Sequence, residues 1–312
     1  MRDYYFSGYF FVLLAATLWG TLGVFYKFLA SSYELPSLEI VFWRALFASM
    51  FTFIFLGIWR RDELSFPRRE IKLFFAMGVI GIAAFYIVYI IAIRLIGMGV
   101  ASVLLYSAPL WVMLYGSIFQ GEKIEQIEFL ALILAIIGII LIGQVYDITQ
   151  LRISSFGLLA GLGSGLGYAA YILLNKQISK HNYSTWTVNA YGLGIGALIL
   201  LIFQDANELS KTLTNPSAMA WLIVLGMIPT LGGGLAFYAG LQRLSAVNAS
   251  IVATFEPVVA TTLGWIIFVE RLNFLQALGG ILVVGSVILI QLPLRRKNSF
   301  TDPQQLVDDE PS

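Results

Sequence analysis

Long apolar runs constrain this chain more than any other feature of its sequence. Ten runs of about 20 residues, the length of helix that crosses the hydrocarbon core of a bilayer, are separated by charges, prolines or glycine clusters. They cover residues 8–29, 36–57, 71–93, 99–119, 126–144, 154–174, 185–203, 217–241, 247–269 and 273–292. With 59% hydrophobic and only 12% charged residues, a water-soluble domain could not cover them. The runs predict an all-α integral membrane protein with ten transmembrane helices.

Basic residues are distributed unequally between the predicted loops. With an even number of spans, thirteen Lys and Arg residues fall on the side of the two termini and five on the opposite side, while Arg44 falls inside the second run. Because basic loops remain in the cytoplasm, we expect a multi-pass protein of the cell membrane with both termini cytoplasmic. The polar and acidic residues 295–312 are expected to form a disordered cytoplasmic tail.

The inventory of ionisable side chains excludes several functions. A net charge of +1 provides no basic face for nucleic acid. The chain has no cysteine and one histidine, which excludes disulfides, thiolate metal sites and cysteine nucleophiles. The segment Gly163-Ser164-Gly165 resembles that of a membrane serine protease, but the single His181 lies in a predicted loop, away from this serine. We therefore expect no enzyme, no cofactor and no resident metal.

The two halves of the chain are similar to each other at a fixed offset. The matches 148 residues apart are Ala101-Ser102 with Ala249-Ser250, Pro109 with Pro257 and Glu122 with Glu270, and with one residue of slippage Trp19 matches Tyr168 and Lys27 matches Lys176. Because each half contains an odd number of spans, the second must cross the membrane in the opposite direction. The chain is predicted to contain two inverted five-helix repeats, residues 1–147 and 148–294, an arrangement that suits alternating access.

The same motifs carry a family resemblance. They are Leu18-Trp19-Gly20, Trp43-Arg44-Ala45, Ser107-Ala108-Pro109, Gly121-Glu122-Lys123, Phe255-Glu256-Pro257-Val258, Val269-Glu270-Arg271, Gly279-Gly280 and Gly285. In order and spacing they resemble the drug/metabolite transporter superfamily, specifically the EamA-type ten-helix exporters, to about Leu292. The resemblance implies a basket of helices around a central cavity, with the fifth and tenth helices at its side. It also implies transport of amino acids, sugars, nucleotide sugars or other small metabolites without a cofactor.

Two ionisable residues lie deep inside predicted spans, Arg44 in the second and Glu256 in the ninth. Burying either one costs about 2.5–3.5 kcal/mol on insertion scales, so each requires compensation. They either approach the cavity, as ligands of a substrate or a proton, or form a structural pair between two helices. Pro109 and Pro257 remove a backbone donor from the fourth and ninth spans, which predicts a pair of hinges, with static kinks as the alternative.

Aromatic residues recur on the first, third, sixth and eighth spans, which line the cavity in the family resembled. The candidate substrate-binding residues are Trp19, Arg44, Tyr86, Tyr89, Tyr168, Tyr171, Phe237, Tyr238 and Glu256. Their rings offer apolar area and, in Tyr and Trp, a polar group for half-apolar solutes. Each aromatic residue taken singly is also typical of packing or of an anchor at the membrane interface.

Two further features favour lipid contact or packing over substrate binding. Lys27 and Lys176 lie near the ends of equivalent spans, where their long side chains are expected to extend to the headgroups. The glycines within residues 157–167 lie in a predicted span and are expected to allow close helix packing.

These features predict a secondary transporter of small organic metabolites. Amino acids or related zwitterions fit best, because the two deep charges are opposite and nearly cancel. Export is the direction that the resemblance implies. The expected partners are a small-molecule substrate and the lipid bilayer, with a homodimer left open. A channel, or a lipid or nucleotide-sugar translocator of similar architecture, is the alternative function.

Overall fold

The computed structural model describes residues 2–64, 68–146, 154–181 and 183–292, and every regular element in this part of the chain is helical. In chain order the α-helices are α1 (Arg2–Gly20), α2 (Leu22–Tyr33), α3 (Ser37–Trp59), α4 (Ile71–Ala76), α5 (Phe85–Leu105), α6 (Ala108–Phe119), α7 (Gln126–Ile142), α8 (Ser155–Ser179), α9 (Thr185–Leu201), α10 (Ala206–Leu213), α11 (Pro216–Leu225), α12 (Gly233–Leu241), α13 (Ala246–Ala253), α14 (Glu256–Phe268) and α15 (Phe274–Gln291). The π-helical segments Met77–Ala84 and Gly226–Gly232 join α4 to α5 and α11 to α12, and Arg61–Leu64 forms a 3₁₀ turn. The predicted boundary between the halves, at residues 147 and 148, and the predicted tail from residue 295 lie outside the described residues.

Seven helical stretches in the described part of the chain are long and apolar enough to cross a membrane. They are Tyr5–Tyr33, Ser37–Trp59, Ile71–Leu105, Ser155–Ser179, Pro216–Leu241, Ala246–Phe268 and Phe274–Gln291. The shorter apolar helices α6, α7 and α9 contain 12, 17 and 17 residues. The all-α, multi-pass membrane architecture is therefore confirmed, whereas the count of ten spans stays a prediction.

The predicted third and fourth spans differ from the observed helices. The stretch Ile71–Leu105 runs through the third predicted run into the fourth and bends at Gly97, whose φ is 79°. Glycine adopts this backbone conformation without steric cost. The fourth run is interrupted again between α5 and α6, and the ninth run is interrupted between α13 and α14. Each of these two interruptions is followed by a proline, which cannot donate a hydrogen bond inside a helix.

The most extensive helix packing joins elements that are far apart in the chain. Helix α5 packs on α8, α7 on α15, α3 on α9 and α1 on α12. Glycines allow the close approach: a Cβ at Gly165 would lie 2.5 Å from the carbonyl oxygen of Leu104, and one at Gly138 would lie 2.6 Å from that of Gly279. Gly157, Gly161, Gly165 and Gly167 of α8 therefore serve close helix packing, as predicted, whereas a Cβ at Gly163 would have its nearest neighbouring atom at 4.0 Å.

Candidate functional site

Arg44 lies in the interior of the helix bundle, on α3. Its side chain is only 4% exposed. The guanidinium donates a hydrogen bond to the hydroxyl of Tyr86 and lies over the ring of the same residue, 4.6 Å from its centroid. Tyr26 of α2 is a second side-chain hydrogen-bond partner. The buried charge is therefore compensated by tyrosine hydroxyls and an aromatic face rather than by a direct carboxylate contact.

Glu256 is the first residue of α14, at the point where the stretch Ala246–Phe268 is interrupted. Its side chain is partly exposed, and Tyr106 is its side-chain hydrogen-bond partner. Tyr106 itself lies at the interruption between α5 and α6. A carboxylate at a helix N-terminus is stabilised by the partial positive charge of the unpaired backbone amides. The broken helix thus provides a place for an anion among apolar side chains.

The two deep charges are neighbours without being directly paired. No ion pair joins Arg44 to Glu256 among the described residues, although each contributes to the electrostatic potential at the other. Tyr86 interacts electrostatically with both. The alternative of a direct structural ion pair is therefore not observed, and both charged groups remain able to interact with a solute. In the described part of the chain, no group of three or more His, Cys, Asp and Glu side chains could hold a metal ion.

An aromatic group centred on Trp19 brings together three of the predicted spans. The centroid of its ring lies 5.1 Å from that of Phe237, 6.4 Å from Tyr171 and 6.5 Å from Tyr168. These residues come from α1, α12 and α8. Centroid separations in this range favour edge-on or offset ring contacts. The structure therefore brings four of the predicted aromatic residues into one contiguous surface.

Phe85 connects this aromatic group to the residues around Arg44. Its centroid lies 5.7 Å from that of Tyr168 and 4.4 Å from that of Tyr86. Tyr89, on the same helix, forms a hydrogen bond with Ser102 at 3.1 Å. The buried hydroxyl of Tyr168 has no hydrogen-bond partner in the part of the chain that is described. Buried hydroxyls are normally satisfied, so this group is a candidate for a hydrogen bond to a bound solute.

Tyr238 is the predicted site residue that the structure places elsewhere. It is 1% exposed, packs with Phe74 and Met77, and donates a hydrogen bond to the carbonyl oxygen of Tyr183 at 3.4 Å. Successive residues of a helix point about 100° apart. This is why Phe237 contacts the Trp19 group whereas the next residue packs into a different cluster.

The two predicted hinge residues lie in the first turns of helices. Pro109 is at the start of α6 and Pro257 at the start of α14. At these positions a proline removes no intrahelical hydrogen bond, because the first amides of a helix have no partner within it. The prolines therefore mark where two spans are interrupted, and bending at these interruptions stays a prediction.

Sequence reasoning did not identify Tyr26, Tyr106 or Glu39. Glu39 lies in the first turn of α3 and is 2% exposed. One of its carboxylate oxygens accepts a hydrogen bond from Trp43 at 3.0 Å, and the other has no partner among the described residues. Comparison of polar residues at the two interruptions could have indicated Tyr106, but no sequence pattern singles out Tyr26.

Comparison with known proteins matches nearly the whole chain to one family. The model of the EamA-like transporter family matches it twice, over residues 6–144 and 155–292. An uncharacterized transporter of Archaeoglobus fulgidus is 28% identical over 284 residues, which are 89% of this chain and 94% of that protein. The pseudopaline exporter CntI of Pseudomonas aeruginosa is 23% identical over 284 residues, 91% of this chain and 95% of its own. A solved crystal structure has the same fold, with a TM-score of 0.73 and 17% identity over 91% of this chain and 96% of that one.

The family matches and the named relatives agree with the character of the helices. Both matched segments consist of apolar helices, and the relatives are transporters and exporters. The resemblance to the drug/metabolite transporter superfamily is confirmed, and the chain is a multi-pass membrane transporter rather than an enzyme. It belongs to the EamA-like transporter family.

Proposed function

We propose that this protein exports small zwitterionic metabolites, such as amino acids or related compounds, from the cytoplasm by alternating access. The observation that carries this proposal is the placement of Arg44 and Glu256, which are close enough to interact electrostatically and yet are not joined by an ion pair. A zwitterion would supply an opposite charge to each of the two groups, in addition to their tyrosine partners. Its carboxylate would bind the guanidinium and its ammonium would bind the carboxylate.

The surrounding residues suit the rest of such a solute. The rings of Trp19, Tyr171 and Phe237 provide apolar surface, and the unpartnered hydroxyl of Tyr168 provides a hydrogen-bonding group. One relative is named an exporter of pseudopaline. That name supports the outward direction of transport and describes the relative's cargo.

We further propose that ten spans form two inverted repeats, residues 1–147 and 148–294, in the cell membrane with both termini cytoplasmic. Three observations support this arrangement. The family model matches the chain twice. Interruptions precede α6 and α14, which begin 148 residues apart. The four most extensive helix contacts join the third span to the sixth, the fifth to the tenth, the second to the seventh and the first to the eighth. An axis in the membrane plane that relates two copies would exchange each of these pairs with itself or with another of the four.

Cysteine labelling tests the topology directly, because the chain has no native cysteine. Asp62 and Asn207 are exposed and belong to loops on opposite predicted sides. In intact cells, Asn207→Cys should react with a membrane-impermeant maleimide, whereas Asp62→Cys should react only after the membrane is permeabilised. Reaction of Asp62→Cys in intact cells would contradict cytoplasmic termini.

Transport by purified protein in liposomes tests the substrate class. We expect saturable exchange of at least one labelled amino acid within a panel that also contains nucleosides and sugars. Arg44→Gln and Glu256→Gln should each lower it at least tenfold, since a charge-assisted hydrogen bond contributes about 1.5–3 kcal/mol. The control is Glu208→Gln, which neutralises one member of the exposed Lys211 ion pair on α10 and should leave exchange unchanged.

The outcomes of this assay separate the alternatives. Undiminished exchange by a folded Glu256→Gln protein would remove that carboxylate from the site. Exchange that persists but loses its dependence on a pH gradient would assign proton coupling to Glu256. Flux that does not saturate, or exchange of nucleosides or sugars without exchange of any amino acid in the panel, would contradict a zwitterion carrier.

A further inference from the structure

Two helix ends at equivalent positions in the halves have the same local structure. After α6, Gly121 has a φ of 65° and the amide of Glu122 donates to the carbonyl oxygen of Gly116 at 3.0 Å. After α14, Val269 has a φ of 54° and the amide of Glu270 donates to the carbonyl oxygen of Gly264 at 3.4 Å. A left-handed residue with such a bond is a common way to end a helix. Each end presents a glutamate, and the two glutamates are 148 residues apart.

The two carboxylates also point back over their helices in the same way. A Cβ at Gly116 would lie 2.7 Å from Oε2 of Glu122, and one at Gly264 would lie 2.8 Å from Oε2 of Glu270. The second end uses a β-branched residue, Val269, in the left-handed region, which is sterically unfavourable. Retention of the same geometry despite this strain indicates that the direction of the glutamate matters.

One glutamate is paired with a lysine and the other is not. Nζ of Lys27 lies 2.7 Å from Oε1 of Glu270 and 4.0 Å from the ring centroid of Phe268. Lys27 therefore has an ion-pair partner, and the extension of its side chain to the headgroups stays a prediction. In the other half, Lys176 and Glu122 line one cavity of about 80 Å³. No ion pair joins them in the described part of the chain.

Lys176 instead binds the end of α12 and the segment that connects it to α13. Its Nζ donates to the carbonyl oxygens of Leu241 and Leu244 at 2.8 and 2.7 Å. A larger cavity of about 280 Å³ adjoins this place and is lined by Ser117, Glu122 and other residues near the end of α6. This end of the bundle therefore contains open space beside Glu122, and the smaller cavity is lined by both Glu122 and Lys176.

The two lysine sites lie at opposite ends of the bundle. Lys176 contacts Leu244, just before α13, and Lys27 contacts Glu270, just after α14. The stretch between them, Ala246–Phe268, has 23 residues and a helical length of about 35 Å. That length matches the thickness of a bilayer core, about 30 Å.

We propose that Lys27–Glu270 and Lys176–Glu122 are two ion pairs that form alternately and hold opposite ends of the transporter closed. In this structure the Lys27 end is closed by its ion pair, and the Lys176 end is open. When the Lys27 pair separates, Lys176 leaves the carbonyl oxygens before α13 and pairs with Glu122, which closes the second end. This inference rests on the alternating-access cycle proposed above and adds to it the contacts that distinguish its two states.

The exposure of the observed pair limits the size of its effect. Lys27 and Glu270 are 52% and 56% exposed, and exposed ion pairs shift an equilibrium by up to about fivefold. Such a pair does not lock a conformation but changes the populations of two nearly balanced states. Loss of one pair should therefore shift the populations in the direction opposite to loss of the other.

Labelling of Ser117→Cys reports whether the Lys176 end is open, because this residue lines the larger cavity and is partly exposed. The probe is a maleimide applied to the purified protein in nanodiscs. We expect Glu270→Gln, and independently Lys27→Gln, to slow labelling by up to about fivefold. Glu122→Gln should leave the rate equal or higher. The charge-swapped double variant Lys27→Glu with Glu270→Lys should restore the original rate.

Glu208→Gln is the matched control, since it disrupts an exposed ion pair on α10, and it should leave the labelling rate unchanged. Equal rates in the parent protein and in both single variants of the Lys27 pair would overturn the proposal. So would slower labelling in Glu122→Gln, or failure of the charge swap to restore the rate. The assay needs no substrate, so its result is independent of whether the cargo is a zwitterion.

Discussion

Tyr86→Phe tests how the buried charge of Arg44 is compensated. The guanidinium donates to the hydroxyl of Tyr86 and also lies over its ring, 4.6 Å from the centroid. Phenylalanine keeps the ring and removes only the hydrogen-bond acceptor, which leaves Tyr26 as a remaining hydroxyl partner. Tyr89→Phe is the matched control on the same helix, because its hydroxyl forms a hydrogen bond with the neutral Ser102 at 3.1 Å.

The expected magnitudes follow from the charges of the partners. A hydrogen bond to a charged group contributes about 1.5–3 kcal/mol to stability, and one between neutral groups about 0.5–1.5 kcal/mol. The cation–π contribution is retained in Tyr86→Phe because the ring remains. We therefore expect Tyr86→Phe to lower the free energy of unfolding two to three times as much as Tyr89→Phe does.

The assay is reversible unfolding in mixed detergent micelles, followed by tryptophan fluorescence. A double-mutant cycle with Arg44→Met isolates the interaction, since residues in contact couple by about 0.5–3 kcal/mol. On the Arg44→Met background, the additional loss from Tyr86→Phe should fall to the level of the control. Equal losses in the two single variants, together with no coupling to Arg44→Met, would refute the assignment of Tyr86 as the partner of the buried charge.

Three further predictions concern stability. Gly165→Ala should lower the thermal unfolding midpoint, because a Cβ there would lie 2.5 Å from a backbone carbonyl oxygen of α5. Gly163→Ala should be neutral or stabilising by up to about 1 kcal/mol, because the atom nearest to its Cβ would lie at 4.0 Å. The reverse order of the two unfolding midpoints would contradict the packing of α8. Glu39→Gln should leave the unfolding midpoint nearly unchanged, because an amide oxygen can replace the carboxylate oxygen that accepts from Trp43. Glu39→Leu should cost about 1–3 kcal/mol of stability, because it leaves the buried indole N–H of Trp43 without an acceptor. Equal midpoints in the two variants would show that this hydrogen bond contributes nothing to stability. Burial and the hydrogen bond to Glu70 raise the pKa of Tyr183 from 10.0 to about 12, so its contribution to stability should be complete below pH 10 and be lost as the pH rises to 12. Across this interval the unfolding midpoint should fall less steeply with pH in Tyr183→Phe than in the parent protein. Parallel slopes in the two proteins would contradict the raised pKa.

The sequence by itself determined the class of the protein and singled out two ionisable residues inside its apolar runs. Long apolar runs require helices, because a backbone in lipid must satisfy its own hydrogen bonds. The fixed offset between the halves and the ordered motifs indicated the family that the comparison then confirmed. Arg44 and Glu256 could be chosen without a structure, since ionisable residues deep in a membrane rarely face lipid.

Only the tertiary structure decided which side chains meet. A span that is apolar all round carries no periodic signal of which face packs inward. The sequence therefore could not separate Phe237, whose ring lies beside that of Trp19, from its neighbour Tyr238, which is buried in a different cluster with Phe74 and Met77. Tyr106 approaches Glu256 because α6 and α13, which adjoin the two interruptions, pack on each other. Likewise Lys27 finds a partner 243 residues away. Such contacts depend on how distant helices are placed relative to one another, and neither hydropathy nor helix propensity specifies that placement.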